Sequence, residues 1–450
     1  MKVTTPTPRA ESGAKANWLA SAAAAAGCAA LALHGASWVP ALSAVVPSLG
    51  VPPIQSVALL VLAVAMLRVS RRRERRNRLL SAAGVLAAAL LLMATLALPF
   101  EHVGQNFMGD GQDFAGHREK FEINIPLAGG TPELHFKAHL GDALLAGFDR
   151  AYGRSGGSAA RAYETVSRIG GLLYVLEIAS VLVVLRGSRR ACRFAALALG
   201  APLAIGFFGY YELGYLAVSA AAFPLLVVGL RVGRARLIGT AAGLQGLHAA
   251  LHGFGLLGIA GGLAAIAAAG RSLTQRVSVA AGFGAVAAVA YLGWIAIYLA
   301  AWNVSVVPDP ASSHVALRGW RAPFYFDRRL VHPLTSSNAL SEIGVASLAV
   351  GVPVLVLAAV LSWRRLPAIA PAVAYASPGL LFLVAWWPSL GVSHDMDLLL
   401  GAFAGVIAAA WVCSRRLAHT VAALALLGAV HLAFWAGVAD RSLSRIWLGE

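Results

Sequence analysis

Charged residues are scarce in this chain, and acidic residues are scarcer than basic ones. Asp, Glu, Lys and Arg make up 12% of the 450 residues, whereas hydrophobic residues make up 59% and the mean hydropathy is +0.72. A soluble domain carries about 25% charged residues. The shortage of charge therefore argues against a soluble domain and predicts a polytopic membrane protein.

Cysteine and several familiar motifs are also rare or absent. The chain has three cysteines, Cys28, Cys192 and Cys413, and no CxxC pair. This argues against a disulfide framework. No glycine-rich phosphate loop with Lys, no repeat of fixed period and no Ser-His-Asp arrangement is visible, which argues against an ATP-driven pump, a repeat protein and a serine hydrolase.

Basic residues are the one type of charge in excess, with 36 Lys and Arg against 20 Asp and Glu. In a soluble protein this excess could indicate nucleic-acid binding. Here the arginines form short clusters between apolar runs, of which the densest is 71–78, and this is the positive-inside pattern of cytoplasmic loops. We therefore expect membrane lipids, and no nucleic acid, as partners.

The alternation of apolar runs and basic clusters predicts an all-α protein with about 11–13 transmembrane helices. The N-terminus is expected in the cytoplasm, and the predicted spans include about 169–185, 213–230 and 277–302. The predicted units are a basic tail (1–16), an N-terminal transmembrane pair (17–78), a core (79–340) with outer loops 101–167 and 303–340, and C-terminal transmembrane helices (341–450).

Two local predictions follow from the same pattern. Apolar residues on one face of Glu133 to Arg150 predict an amphipathic helix on the membrane surface within the first outer loop. The apolar run 237–270 lies between two basic clusters, so it is predicted to be a hairpin of two short spans that turns near His252-Gly253 on the outer side.

Polar residues with possible functions fall at the outer boundary in this topology. Glu212 interrupts the apolar run 194–230, where a carboxylate at bilayer depth would cost about 2–3 kcal/mol, although the predicted topology moves it to an outer turn. His248 and His252 are four residues apart and would share a helix face. That spacing suits a metal, a proton relay or a phosphate, or else two histidines bonded to carbonyls at a helix end.

A second acidic stretch, His394-Asp395-Met396-Asp397, fits a hard-cation site. Two carboxylates one residue apart can both reach Mg²⁺ or Mn²⁺, which would bridge to a phosphate. The alternative is a helix N-terminus, where aspartates complement the helix dipole.

Four stretches, in chain order, resemble parts of bacterial GT-C-type membrane glycosyltransferases. The first is Asn106-Phe-Met-Gly-Asp-Gly-Gln-Asp113, which is similar to the first outer loop of that class. The others are the FFGYxE-like stretch 207–212, the histidine-bearing hairpin 247–262, and 393–398, which is similar to a late RDWDLF stretch but has His394 and Met396 in place of Arg and Trp. The first large outer loop of the class normally follows span 1, so residues 17–78 are interpreted as an N-terminal addition.

The resemblance implies transfer of a hexosyl or pentosyl group at the outer face of the bacterial inner (plasma) membrane. The donor would be a polyprenyl-phosphate sugar, and the acceptor a glycan, a lipid or a protein. The implied catalytic base is Asp110, with Asp113 in reserve. The resemblance further implies that Glu212, His248 and His252 line the donor or acceptor cavity, and that Asp395 and Asp397 hold a metal or position the donor phosphate. From their own chemistry, we add Tyr211 to the substrate-binding residues and His394 to the metal-binding ones, and expect Arg318 and Arg321 to bind substrate by stabilising the leaving phosphate. The arginines could equally contact lipid headgroups.

Two other classes of function stay open at the level of the sequence. One is a secondary transporter or flippase that uses Glu212 and His248/His252 as a polar relay. The other is a non-catalytic subunit of a cell-envelope polymer assembly system.

Overall fold

The computed structural model describes the greater part of the chain as α-helix. The described residues are 51–95, 133–135, 139–153, 158–201, 216–270, 272–302, 305–307, 347, 350, 352–362, 366–385, 400–413 and 416–439. The helices are α1 Val51–Ser70, α2 Arg75–Thr95, α3 His139–Ala151, α4 Ser158–Val184, α5 Arg189–Leu199, α6 Ala222–Val232, α7 Ala235–Leu251, α8 Gly255–Ala267, α9 Leu273–Trp302, α10 Val352–Ser362, α11 Leu366–Ala385, α12 Leu400–Cys413 and α13 Leu417–Ala439.

Two of these helices are long and apolar enough to cross a membrane. They contain the segments Arg161–Val184 of α4 and Leu273–Ile297 of α9. Only 17% of the apolar stretch of α9 is buried, so most of its apolar side chains face outward from the protein. The exposed side chains include Val277, Val289 and Leu292.

One short sheet accompanies the helices. Strand β1 (Glu133–His135) pairs in parallel with β2 (Ser305–Val307), with Leu134 opposite Val306. Paired residues of the two strands, such as Leu134 and Val306, lie 172 positions apart in the chain. The pair thus joins the two segments that the sequence analysis assigns to the first and second outer loops.

Aromatic side chains fill the centre of the helix bundle. The ring of Phe223 on α6 lies 4.5 Å from that of Tyr375 on α11 and 6.4 Å from that of Trp411 on α12, measured between centroids. Trp411 also meets Phe194 of α5 edge-on, at 5.4 Å. Edge-on and tilted contacts of this kind stabilise a core beyond simple burial. They hold α5, α6, α11 and α12 together.

Basic helix termini meet at one end of the bundle, which we call the arginine end. Nε of Arg75, at the start of α2, donates to the carbonyl of Arg186 just after α4 (2.6 Å), and Nε of Arg78 donates to that of Gly187 (2.8 Å). At the start of α5, the carbonyl of Arg190 accepts a hydrogen bond from Nε1 of Trp411 on α12 (2.9 Å). Arginines that cap the last carbonyls of a helix also complement its dipole.

Helix boundaries differ from the sequence prediction in three places. The segment Glu133–His135 is a strand, so the predicted amphipathic helix begins only at His139. Helix α4 begins at Ser158, before the predicted start near 169, because Glu164 and Arg168 form an i,i+4 ion pair that suits a helix outside the apolar run. Residues 216–221, predicted as part of a span, are not α-helical.

Small residues allow close helix packing, and this gives a first testable prediction. A methyl group at Gly405 of α12 would lie 2.5 Å from Cα of Ala376 on α11. The added methyl group would be fixed to the backbone of α12, and the Cα atom that it meets belongs to the backbone of α11. Because neither can rotate away, we expect Gly405→Ala to force the two helices apart. The expected loss of stability is about 1–3 kcal/mol, seen as a lower melting temperature of the purified protein in detergent.

Gly282→Ala on α9 is the matched control. A Cβ at Gly282 would meet no atom within 4 Å. Since alanine is the better helix former, this substitution should leave the melting temperature unchanged or slightly raised. Equal melting temperatures for the two variants would contradict the tight contact between α11 and α12.

Candidate functional site

A carboxylate lies in the middle of the apolar run 169–185, where the structure buries it. This is Glu177 of α4, whose side chain is 9% exposed. Sequence reasoning singled out Glu212 and overlooked Glu177, although the same signal, a lone acid in an apolar run, marks both. Acidic residues inside apolar helices usually have a polar partner or a function.

One oxygen of the Glu177 carboxylate holds the segment that leads into α6. Oε2 accepts a hydrogen bond from the hydroxyl of Ser219 (2.7 Å) and another from the backbone N–H of Ala221 (3.0 Å). Oγ of Ser219 in turn accepts the N–H of Ala222 (3.1 Å), the first residue of α6. A helix N-terminus leaves such N–H groups without partners, so Glu177 and Ser219 together supply the missing acceptors.

The other oxygen of Glu177 bonds to a histidine. Oε1 lies 2.7 Å from Nε2 of His248 on α7, and Nδ1 of the same ring lies 2.5 Å from the carbonyl oxygen of Leu216. Both ring nitrogens thus face oxygen atoms. An imidazolium, with a hydrogen on each nitrogen, would donate to both facing oxygens.

These contacts define the Glu177 cluster: the side chains of Glu177, Ser219 and His248, with the backbone of Leu216 and Ala221. Its side chains are buried, and so is the whole segment 216–221. A buried non-helical segment needs partners for its backbone groups, since no water can supply them. The cluster supplies these partners from α4 and α7, which explains why the chain can leave the helical conformation here.

His252 occupies a different position from the one predicted. Helix α7 ends at Leu251, and His252 has an extended backbone (φ −159°, ψ 136°), so the two histidines do not continue along one helix face. Nδ1 of His252 accepts the N–H of Phe254 at 3.4 Å, and the two rings lie 4.9 Å apart. The predicted turn near 252–253 is confirmed, because α8 begins at Gly255.

Several chain segments come together at the end of the bundle that holds this turn, which we call the hairpin end. Leu140 and Leu145 of α3 share a buried cluster with Leu216 and with residues 249–251 of α7. Nε2 of His139, at the start of α3, lies 3.0 Å from the carbonyl oxygen of Tyr291 on α9. Near the end of α11, the ring of Phe382 meets that of Phe254 at 5.4 Å.

Of the residues that the sequence analysis singled out, the structure describes His248 and His252. It places both at the end of α7, buried. The remaining predicted site residues lie outside the described part of the chain: Asp110, Asp113, Tyr211, Glu212, Arg318, Arg321, His394, Asp395 and Asp397. Among the residues that are described, no group of three or more His, Cys, Asp or Glu could hold a metal ion.

Two further buried hydrogen bonds lie close to this cluster, and one cavity lies at the arginine end. Nε2 of Gln245, one turn before His248, donates to the hydroxyl of Tyr375 on α11 (2.5 Å), and the hydroxyl of Tyr174 donates to the carbonyl of Ala198 (2.7 Å). A cavity of about 180 Å³ is lined by Arg231, Gly270 and Val412, among others. It belongs to the arginine end, because its lining residue Val412 follows Trp411, whose indole bonds to the carbonyl of Arg190.

Comparison of the chain with protein-family models, with curated proteins and with solved structures found no match.

Proposed function

We propose that this chain is a polytopic inner-membrane protein of GT-C-like architecture that transfers a sugar from a polyprenyl-phosphate donor to an acceptor at the outer face. The membrane part of the proposal is supported by exposed apolar side chains, for which α9 is the clearest case. Close packing of helices at small residues such as Gly405 is also typical of membrane proteins. The arginine end would then face the cytoplasm.

The observation that carries the proposal is the convergence of chain segments at the hairpin end. Strand β1 and helix α3 belong to the predicted first outer loop, which carries Asp110. Strand β2 opens the second outer loop, and it pairs with β1. Leu216, four residues after Glu212, bonds to His248 of the hairpin. Each contact involves a described segment that precedes or follows, in the sequence, a stretch with predicted site residues, and this supports the proposal.

The end of α11 extends this convergence to the last predicted motif. Phe382 packs on Phe254 at the hairpin turn, and in the sequence the stretch 393–398 lies between α11 and α12.

The proposed reaction requires the predicted site stretches to act together. The Asp110 carboxylate takes the proton of the acceptor hydroxyl, the acceptor oxygen bonds to the anomeric carbon, and the bond from that carbon to the phosphate oxygen breaks. The phosphate leaves with the electron pair, and Arg318 and Arg321 would stabilise its charge.

The proposal can be tested with the purified full-length protein in liposomes that contain polyprenyl-phosphate sugars. We expect transfer of radiolabelled sugar to an acceptor extract from the cell envelope. Glu212→Gln should lower the rate by about tenfold or more, because the substitution removes the charge of a residue that would line the substrate cavity. The measurement is the initial rate of transfer at saturating and at limiting donor concentrations.

Glu164→Gln is the control for this experiment. Glu164 lies on α4 in a surface ion pair with Arg168, and both side chains are partly exposed. Its loss should leave the rate of transfer unchanged, since exposed pairs contribute little. Absence of transfer with hexosyl and pentosyl donors alike would reject the glycosyltransferase proposal.

A second candidate, proton-coupled transport, is favoured by the Glu177–His248 pair. A carboxylate bonded to a histidine inside a helix bundle is a typical element of proton relays in transporters. The same liposomes distinguish the two functions. Internal acidification that depends on an external solute, without any sugar transfer, would support transport and reject the enzyme.

A further inference from the structure

The segment from Leu216 to Ala222 is held by two other helices through its backbone. The carbonyl of Leu216 is bonded by His248 of α7, and the N–H of Ala221 by Glu177 of α4. Between them, Ser219 bonds to Glu177 through its hydroxyl and to the N–H of Ala222 through the same oxygen. Both ends of the segment are thus tied, directly or through one side chain, to Glu177.

The polar atoms of the Glu177 cluster are directed at this segment and at one another. Both carboxylate oxygens and both imidazole nitrogens have partners within the protein. The cavity at the arginine end is lined by other residues. A buried network in which each polar atom has a hydrogen-bond partner holds its groups in a single arrangement.

We propose that Glu177 is a positioning residue, which clasps the segment Leu216–Ala222 by hydrogen bonds and so sets the position of the chain that carries Tyr211 and Glu212. The clasp itself is independent of the reaction. Its consequence for Glu212 rests on the proposed sugar transfer. In that reaction Glu177 touches neither donor nor acceptor and acts through the segment that it holds.

The chemistry of the clasp predicts that glutamine can replace Glu177. The amide oxygen of Glu177→Gln can accept from Ser219 and Ala221. Its NH₂ group can donate to Nε2 of a neutral His248, whose Nδ1–H still donates to Leu216. Methionine has a similar length but no donor or strong acceptor, so Glu177→Met removes the clasp while largely keeping the volume.

The experiment uses a cysteine reporter within the segment. Ala217 is 6% exposed, so a thiol from Ala217→Cys should react slowly with a maleimide as long as the clasp holds. The reporter is placed in the full-length protein carrying Cys28→Ala, Cys192→Ala and Cys413→Ala, and the rate of labelling is measured in detergent. The variants compared are Glu177→Gln, Glu177→Met and, as control, Glu164→Gln.

We expect Glu177→Met to raise the labelling rate about tenfold or more, since it removes the partners of several buried groups. Glu177→Gln and Glu164→Gln should stay within about twofold of the parent. In the transfer assay, Glu177→Met should lower kcat more than it changes KM for the donor, and glutamine should restore kcat. Unchanged labelling in Glu177→Met, or equal acceleration by glutamine and methionine, would overturn the proposal.

A second variant tests the clasp if Glu177→Met fails to fold, and the labelling assay separates the clasp from the proposed function. If Glu177→Met does not yield a monodisperse protein, Ser219→Ala removes the hydroxyl that donates to Oε2 of Glu177 and accepts the N–H of Ala222. This variant should accelerate labelling about threefold or more, and parent-like labelling would overturn the clasp. The labelling rates do not depend on any activity. Absence of sugar transfer in the parent protein, with the expected labelling pattern, would therefore reject the proposed function and retain the clasp.

Discussion

His248→Leu should lower the free energy of unfolding by about 3–5 kcal/mol, because it leaves a buried carboxylate without its cationic partner. The Nε2 atom of His248 lies 2.7 Å from Oε1 of Glu177, and both side chains are less than 10% exposed. Ser219 and Ala221 remain as donors to Oε2, but neither carries a charge. Thermal unfolding of the purified protein in detergent, followed by circular dichroism, measures the loss.

A double substitution separates the loss of the pair from the loss of either partner. Glu177→Leu/His248→Leu should recover about half of the stability or more, since two apolar side chains replace a buried ion pair. The clasp on the segment 216–222 stays broken in this variant. The Ala217→Cys reporter should therefore still react rapidly, although the protein melts at a higher temperature than His248→Leu.

Gln245→Leu on the same helix is the matched control for this prediction. Gln245 is buried one turn before His248, and it donates a hydrogen bond to the hydroxyl of Tyr375. Both groups are neutral, so the expected loss is smaller, about 1–2 kcal/mol. If His248→Leu costs no more than Gln245→Leu, the Glu177–His248 contact is not a charged pair.

The positions of most helices could be predicted from the sequence because their signal is local. An apolar run between arginine clusters predicts a helix without knowledge of its neighbours. This worked for the hairpin 237–270, where α7 and α8 turn at residues 252–254 as expected. It also worked for α9, whose observed bounds, Leu273–Trp302, include the predicted span 277–302.

The failures occur where a distant partner decides the conformation. Glu133–His135 reads as the first turn of an amphipathic helix, yet it forms a strand because Ser305–Val307 pairs with it. Residues 216–221 read as part of a span, yet they leave the helix because Glu177 and His248 bond their backbone groups. Neither partner is visible from the local pattern.

The candidate site shows the same division between local and distant signals. His248 could be selected from the sequence, because histidine is unusual in an apolar run. Its partner Glu177 lies 71 residues earlier in the chain, and only the fold brings the two together. Glu177 was nevertheless detectable as the lone charge between residues 169 and 185. The rule for acidic residues in apolar runs applies to Glu177 more directly than to Glu212, because the predicted topology assigns Glu212 to an outer turn.

Asp110→Asn should lower kcat for sugar transfer by about 10²–10⁴-fold, the range expected when a general base is removed. The resemblance assigns this role to Asp110, which lies outside the described residues. In the sequence, Asp110 stands between the end of α2 and β1, and α2 begins at the arginine end. A helix of 21 residues spans about 30 Å, so α2 carries the chain toward the hairpin end, where β1 and α3 lie.

The pH dependence of the rate distinguishes loss of a base from loss of structure. With a carboxylate base, kcat of the parent protein rises with pH as the base ionises, whereas the residual rate of Asp110→Asn should lack this rise. Asp142→Asn, in the first turn of α3, alters another acid of the same loop and should keep both the rate and its pH profile. If Asp110→Asn keeps the kcat of the parent protein and Asp113→Asn lowers it by about 10²–10⁴-fold, the base is Asp113. A parent-like kcat in both variants would exclude both aspartates as the base, and the carboxylate of Glu212 would become the candidate for that role.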